Sequence, residues 1–177
     1  FDFSGYTDMA IGLSCLFGIR LPINFNSPYR ASNISEFWRR WHMTLSRFLR
    51  DYLYIPLGGN RYGPTRRYAN LLATMLLGGL WHGAGWTFVM WGGFHGLYLV
   101  VHQLWQFFCT RVGLDKLQPT RVGRSVATLL TFVAVVVGWV FFRAASLTSA
   151  VSLLEGMAGI HGVSIPAALA ARSGGAS

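Results

Sequence analysis

Histidine is the side chain best suited to accept and release a proton near neutral pH, and one of the five in this sequence stands where plain anchoring has no use for it. His82 falls in Leu80-Trp81-His82-Gly83-Ala84-Gly85-Trp86, preceded by Gly78-Gly79, inside residues 68–110, a run of 43 without Lys, Arg, Asp or Glu. About 20 apolar residues cross a ~30 Å hydrocarbon core, so a run this long is a membrane signal. Glycine weakens a helix by roughly 1 kcal/mol against Ala. Broken backbone at membrane depth survives only inside protein or beside a watery cavity, and an ionisable residue there is a functional-site hypothesis by default. His82 is therefore read as the group the chain is built to present, against the plainer alternative of a structural histidine bonded to a neighbouring carbonyl. No Gly-x-Ser-x-Gly elbow occurs, which disfavours a covalent serine nucleophile. A metal held by His82, His95 and His42 would lack nearby Cys or carboxylate ligands and an HxxxH spacing, so no metal is expected.

The elements around His82 follow from pattern. Residues 1–19 are apolar and read as a helix. Asp8 within it is either a functional carboxylate or one satisfied by a partner helix, the second being favoured. Two prolines and several Asn/Ser residues make 20–28 a loop. Asn33 with Glu36 three residues on forms a capping-box signature. From there Ile34, Phe37, Trp38, Trp41, Leu45, Phe48, Leu49 and Tyr52 recur at helical steps. This predicts one amphipathic helix lying along the interface, with Arg39, Arg40, Arg47 and Arg50 on its other side. His42 sits at the edge of the apolar face, where it either turns inward or anchors the helix. Residues 55–61 read as a turn-rich loop.

The following apolar segment is predicted to break twice, at Gly78-Gly79 and at 83–85. Residues 87–108 are long enough to span. They carry a stripe of Trp91, His95, Tyr98, His102 and Trp105, mostly packing, with His95 the best placed to line a cavity. Gly92, Gly93 and Gly96 would let a neighbouring helix approach closely. Residues 125–142 are the clearest span, and 147–160 a short amphipathic helix.

Composition fits a membrane protein. The chain is 53% hydrophobic and 12% charged, with mean hydropathy +0.40, against roughly 25% charged in soluble domains. The +9 net charge is almost wholly arginine, Lys116 being the only lysine. Arginines interleaved with aromatics can signal nucleic acid. Here they flank apolar runs, so membrane lipid headgroups are the expected partner and nucleic acid is not. Seven arginines between Arg39 and Arg67 place that region on the cytoplasmic side. Cys15 and Cys109 have no metal or redox spacing and read as small buried hydrophobes. With Phe1 first and Asp2 and Asp8 in an apolar stretch, the sequence reads as a C-terminal portion of a larger protein.

Three long stretches carry a resemblance: Ser35-Glu36-Phe37-Trp38-Arg39-Arg40-Trp41-His42-Met43-Thr44-Leu45-Ser46, then Arg50-Asp51-Tyr52-Leu53-Tyr54-Ile55-Pro56-Leu57-Gly58-Gly59-Asn60-Arg61, then Gly79-Leu80-Trp81-His82-Gly83-Ala84-Gly85-Trp86. They resemble the membrane-bound O-acyltransferases, most closely the bacterial alginate O-acetyltransferase branch. Phe3-Ser4-Gly5-Tyr6-Thr7-Asp8 and Trp139-Val140-Phe141-Phe142-Arg143-Ala144 look like the same branch. The resemblance covers residues 1–160, leaving 161–177 as a polar, poorly ordered tail. It implies an all-α, polytopic transmembrane bundle, here its C-terminal portion, in the bacterial cytoplasmic (inner) membrane. A tunnel would join a cytoplasmic donor side to an extracytoplasmic side, with Trp41, Trp81, Trp86 and His95 as expected lining. The resemblance makes His82 catalytic, as general base or transient acyl carrier, with His42 orienting the acceptor or sharing the proton. No bound cofactor is expected. The acyl donor would be acetyl-CoA or an acyl-carrier thioester, the acceptor a polysaccharide such as alginate, and the partner a periplasmic acetyltransferase. D-alanyl transfer to a cell-wall polymer, a transporter built on broken helices, and a non-catalytic export scaffold are the alternatives.

Overall fold

The computed structural model describes residues 2–114, 119–160 and 162; Lys116 and, apart from residue 162, the expected tail over 161–177 lie outside them. Among the described residues every regular element is helical: α1 (Asp2–Leu16), α2 (Ile34–Arg40), α3 (Met43–Leu49), α4 (Gly63–His82), α5 (Trp86–Val112), α6 (Arg121–Arg143) and α7 (Leu147–Met157). A 3-10 turn (Pro28–Arg30) precedes α2, and a π-helical turn (Arg50–Tyr54) follows α3.

The scaffold is an antiparallel stack of α4, α5 and α6. Residues 83–85 turn the chain back, and α5 runs down α4 with backbones in contact. A Cβ on Gly79 would collide with the carbonyl oxygen of Phe88, and one on Gly92 with that of Met75. Backbone cannot swing aside, so these two positions set the interhelix distance. Gly78-Gly79 therefore does not break the helix as predicted. The helix continues to His82, and the glycines are used for close packing rather than for interruption. On its other face α5 meets α6: Phe94 lies 4.8 Å from Phe141 and Trp91 lies 5.3 Å from Phe142, ring centre to ring centre.

α6 contains the span predicted over 125–142 and begins with Thr120 capping Gly123 N–H at 3.0 Å. Among the described residues it is the one helix long and apolar enough to cross a membrane by length and composition. α5 has the length, at 27 residues, but its histidines, Gln103, Gln106 and glycines dilute it. The antiparallel order brings Arg66, Arg67, Arg111, Arg121 and Arg124 to one end of the stack and leaves Arg143 at the other.

The single amphipathic helix predicted from residue 34 is two helices. The start is as expected: Asn33 Oδ1 accepts from Glu36 N at 2.8 Å, while Glu36 reaches back to Ser32 N at 2.9 Å. The chain then breaks at Trp41 and His42, because the loop before it competes for the backbone. Asn26 N donates to Arg40 O (2.9 Å), Met43 N donates to Asn24 O (3.0 Å), and Asn24 Oδ1 accepts from Thr44 N (3.1 Å). With its groups captured by residues 24–26, the chain turns at His42 in the left-handed conformation (φ 42°, ψ 56°). The result sets α2 against the middle of α5 instead of along an interface, with Phe37 and Trp38 buried. Cys15 is exposed and Cys109 half-buried, both free, so neither is the core hydrophobe expected. Asp8 is exposed on α1.

Candidate active site

α4 ends in an imidazole. Its last residue, His82, is half-buried and sits at the end of the stack away from the arginine cluster. Aromatic edges surround the ring: Trp81 at 5.0 Å, Phe142 at 5.1 Å and Trp91 at 5.2 Å between ring centres. The turn at 83–85 ends the helix immediately beyond it, and a Cβ on Gly83 would press on the Phe88 ring at 2.5 Å.

His42 faces the same space from the break between α2 and α3. The two imidazoles line a cavity of about 370 Å³ together with Trp41, Trp81, Trp91 and Trp139. Phe3, Trp38, Leu45 and Phe142 complete its wall. A left-handed, non-glycine residue costs of order 1–2 kcal/mol, and such strain gathers where a side chain must be aimed. Here the turn aims the His42 ring across the cavity at an aromatic wall, with Phe3 at 4.9 Å. Its Nδ1 is buried without a hydrogen-bond partner. Burial holds the His42 imidazole below its ordinary value, and the nearby His82 pushes it the same way. His42 is thus kept neutral at physiological pH, able to accept a proton.

The wall is apolar almost throughout, so the two imidazoles are the polar groups that a ligand entering this cavity would meet. Such a site can take a proton from a hydroxyl and keep water away from a reactive acyl group.

Of the predicted lining residues, Trp41 and Trp81 face this cavity and two do not. Trp86 is 75% exposed at the start of α5. Its place on the outer surface follows from the reversal at 83–85, which sends the next side chain outward. His95 is fully buried beneath the cavity instead of lining it. Its ring stacks on Phe37 at 6.2 Å and meets Trp38 edge-on at 5.3 Å, and neither nitrogen has a partner. Gly138 of α6 makes room for it, since a Cβ there would stand 2.7 Å from His95 Nε2. Farther along the stripe, Tyr98 and His102 are half-buried and Trp105 is 59% exposed. The wall residues Trp38, Leu45, Trp91 and Trp139 were visible in sequence only as apolar or aromatic positions. Among the described residues no group of three or more His, Cys, Asp or Glu side chains is placed to hold a metal ion.

A second cavity, of about 560 Å³, lies toward the arginine-rich end. Arg39, Arg50 and Arg67 line it with Ser35, Tyr54, Asn60 and Gln103. Asn70, buried on α4, fixes the intervening loop by donating to Gly59 O at 3.2 Å. This is the one described cavity in which several guanidinium groups and neutral hydrogen-bonding groups converge, suited to an anion.

Comparison with known proteins bears on what such a site does. The sequence profile of the membrane-bound O-acyltransferase family matches residues 1–151. A peptidoglycan O-acetyltransferase of Helicobacter pylori is 56% identical over 93% of this chain, which covers 30% of that relative. A probable alginate O-acetylase of Pseudomonas aeruginosa is 50% identical over 89% of this chain, covering 28% of the relative. A teichoic acid D-alanyltransferase of Streptococcus thermophilus is 33% identical over 80% of this chain and 38% of its own length. The chain thus spans about a third of the length of these curated relatives.

Proposed function

Because the chain belongs to the membrane-bound O-acyltransferase family, we propose that it supplies the histidine-bearing core of a multi-pass enzyme of the bacterial inner membrane. That enzyme moves an acetyl group from a cytoplasmic thioester toward hydroxyls of an extracytoplasmic polysaccharide. The observation that carries the reading is the meeting of His82 and His42 in one aromatic-walled cavity. An isolated structural histidine needs neither a second imidazole facing it nor a strained backbone to aim that second ring.

In the transfer, His82 accepts the proton of the acceptor hydroxyl as its oxygen attacks the thioester carbonyl. The C–S bond breaks, the ester C–O bond remains, and the proton passes to the departing thiolate. His42, neutral and opposite, orients the hydroxyl or shares its proton. The aromatic wall keeps bulk water from competing for the acyl group. The donor is acetyl-CoA or a carrier-bound thioester, and a periplasmic acetyltransferase completes delivery to the polymer. Relatives whose names specify O-acetyl transfer, at 50–56% identity, support acetyl over D-alanyl transfer, whose named relative stands at 33%.

The test is His82→Ala in the full-length protein. Loss of a general base costs about 10²–10⁴-fold, so polymer O-acetyl content should fall to background while the protein stays in the membrane. Unchanged acetylation with normal protein levels would refute the assignment. If a solute were still transported and acetyl content had never depended on the protein, the transporter reading would replace it.

A further inference from the structure

The histidine cavity and the arginine cavity have separate linings with one exception: Trp38 alone among the described residues lines both. It lies on α2 where that helix crosses the middle of α5, and it is 8% exposed. Trp91 meets its ring edge-on at 5.8 Å and His95 at 5.3 Å. Its Nε1 is buried with no hydrogen-bond partner, a polar donor left in a wall that otherwise has no need of one. Ser46 fixes the backbone beneath it by donating to Trp38 O at 3.0 Å, leaving the side chain as the part free to rotate.

We propose that Trp38 is the partition between the two cavities. In its closed position it isolates the histidine cavity from the arginine-rich end, and its rotation admits the thioester arm of a donor whose anionic head rests among Arg39, Arg50 and Arg67. No bond is made or broken at Trp38. Its free N–H is placed to hold the thioester carbonyl as the arm passes, which makes it a positioning residue. This rests on the acyl-transfer reading for what passes through, but not for the existence of the partition.

Thiol accessibility tests the partition without any turnover. In full-length protein with Cys15 and Cys109 changed to serine, Leu45→Cys places a thiol in the histidine cavity and Asn60→Cys places one in the arginine cavity. A small, charged, membrane-impermeant methanethiosulfonate is applied to sealed vesicles from the arginine-rich face. With Trp38 in place the Asn60→Cys thiol should react at least tenfold faster than the Leu45→Cys thiol. Trp38→Ala should raise the Leu45→Cys rate at least tenfold and leave Asn60→Cys unchanged. Should Trp38→Ala fail to reach the membrane, Trp38→Phe carries the test, with a smaller but measurable rise expected. Equal labelling of the two thiols in the parent, or no rise in the Trp38 variant, overturns the proposal. In the same vesicles acetyl-CoA is the probe for function: Trp38→Ala should increase thioester hydrolysis relative to ester formation, with Trp38→Phe restoring part of the ratio. A labelling change without a change in that ratio would keep the partition and sink the acyl-transfer role, whereas retained acetylation in His82→Ala would leave the labelling result standing.

Discussion

Replacing His42 by glycine and by alanine separates backbone strain from chemistry. In an ordinary helix Gly is about 1 kcal/mol less stable than Ala. At position 42 the order should invert, because the residue stands at φ 42°, ψ 56°. A left-handed alanine keeps the ~1–2 kcal/mol penalty that glycine escapes, and glycine's larger unfolded-state entropy returns only ~0.5–1 kcal/mol of that. Both variants lose the ring and its edge contact with Phe3 at 4.9 Å, so that loss cancels in the comparison. His42→Gly should therefore be more stable than His42→Ala by up to about 1 kcal/mol. The assay is thermal unfolding of the purified full-length variants in one detergent, beside polymer O-acetyl content in cells. Acetylation should fall partly or wholly in both, regardless of which is the more stable. If alanine proved the more stable, position 42 would be ordinary helix and the aiming argument would fail. Full activity in the glycine variant would reduce His42 to a structural turn.

Two further outcomes concern the scaffold. Gly92→Ala should destabilise by about 1–3 kcal/mol, the usual cost of overpacking, because the added methyl meets the Met75 carbonyl, which cannot rotate away; membrane-inserted protein and its unfolding midpoint both report this, and a neutral effect would contradict the backbone contact. Glu36 accepts from Ser32 N, Ser32 Oγ and Arg40, which together hold its carboxyl below the usual range. That contribution is present above the unfolded carboxylate's value and is lost as pH falls through the lower folded one, so Glu36→Gln should flatten the acid limb of the stability–pH curve. An unchanged limb would show that the cap is not formed in solution.

Much of this protein was legible from its residues alone. Charge-poor runs specify helices and membrane context, since hydrocarbon leaves the backbone few alternatives to helix. Asn33 with Glu36 specifies the start of α2, and the motif around His82 specifies the residue that matters most. The span over 125–142 appears nearly where pattern put it. What pattern could not reach depends on partners remote in sequence. Local periodicity continues straight through Trp41 and His42, yet Asn24 and Asn26 capture that backbone and break the helix. Glycines read as interruptions at 78–79, but the opposing carbonyl of Phe88 turns Gly79 into a packing site. His95 and Trp86 share the composition of lining residues, and only the reversal at 83–85 and the room left by Gly138 send one outward and bury the other. Sequence determined which side chains could do the chemistry. Tertiary structure decided which of them face one another, because a cavity belongs to surfaces brought together from four or five separate segments, and no single segment's spacing encodes the distance between them.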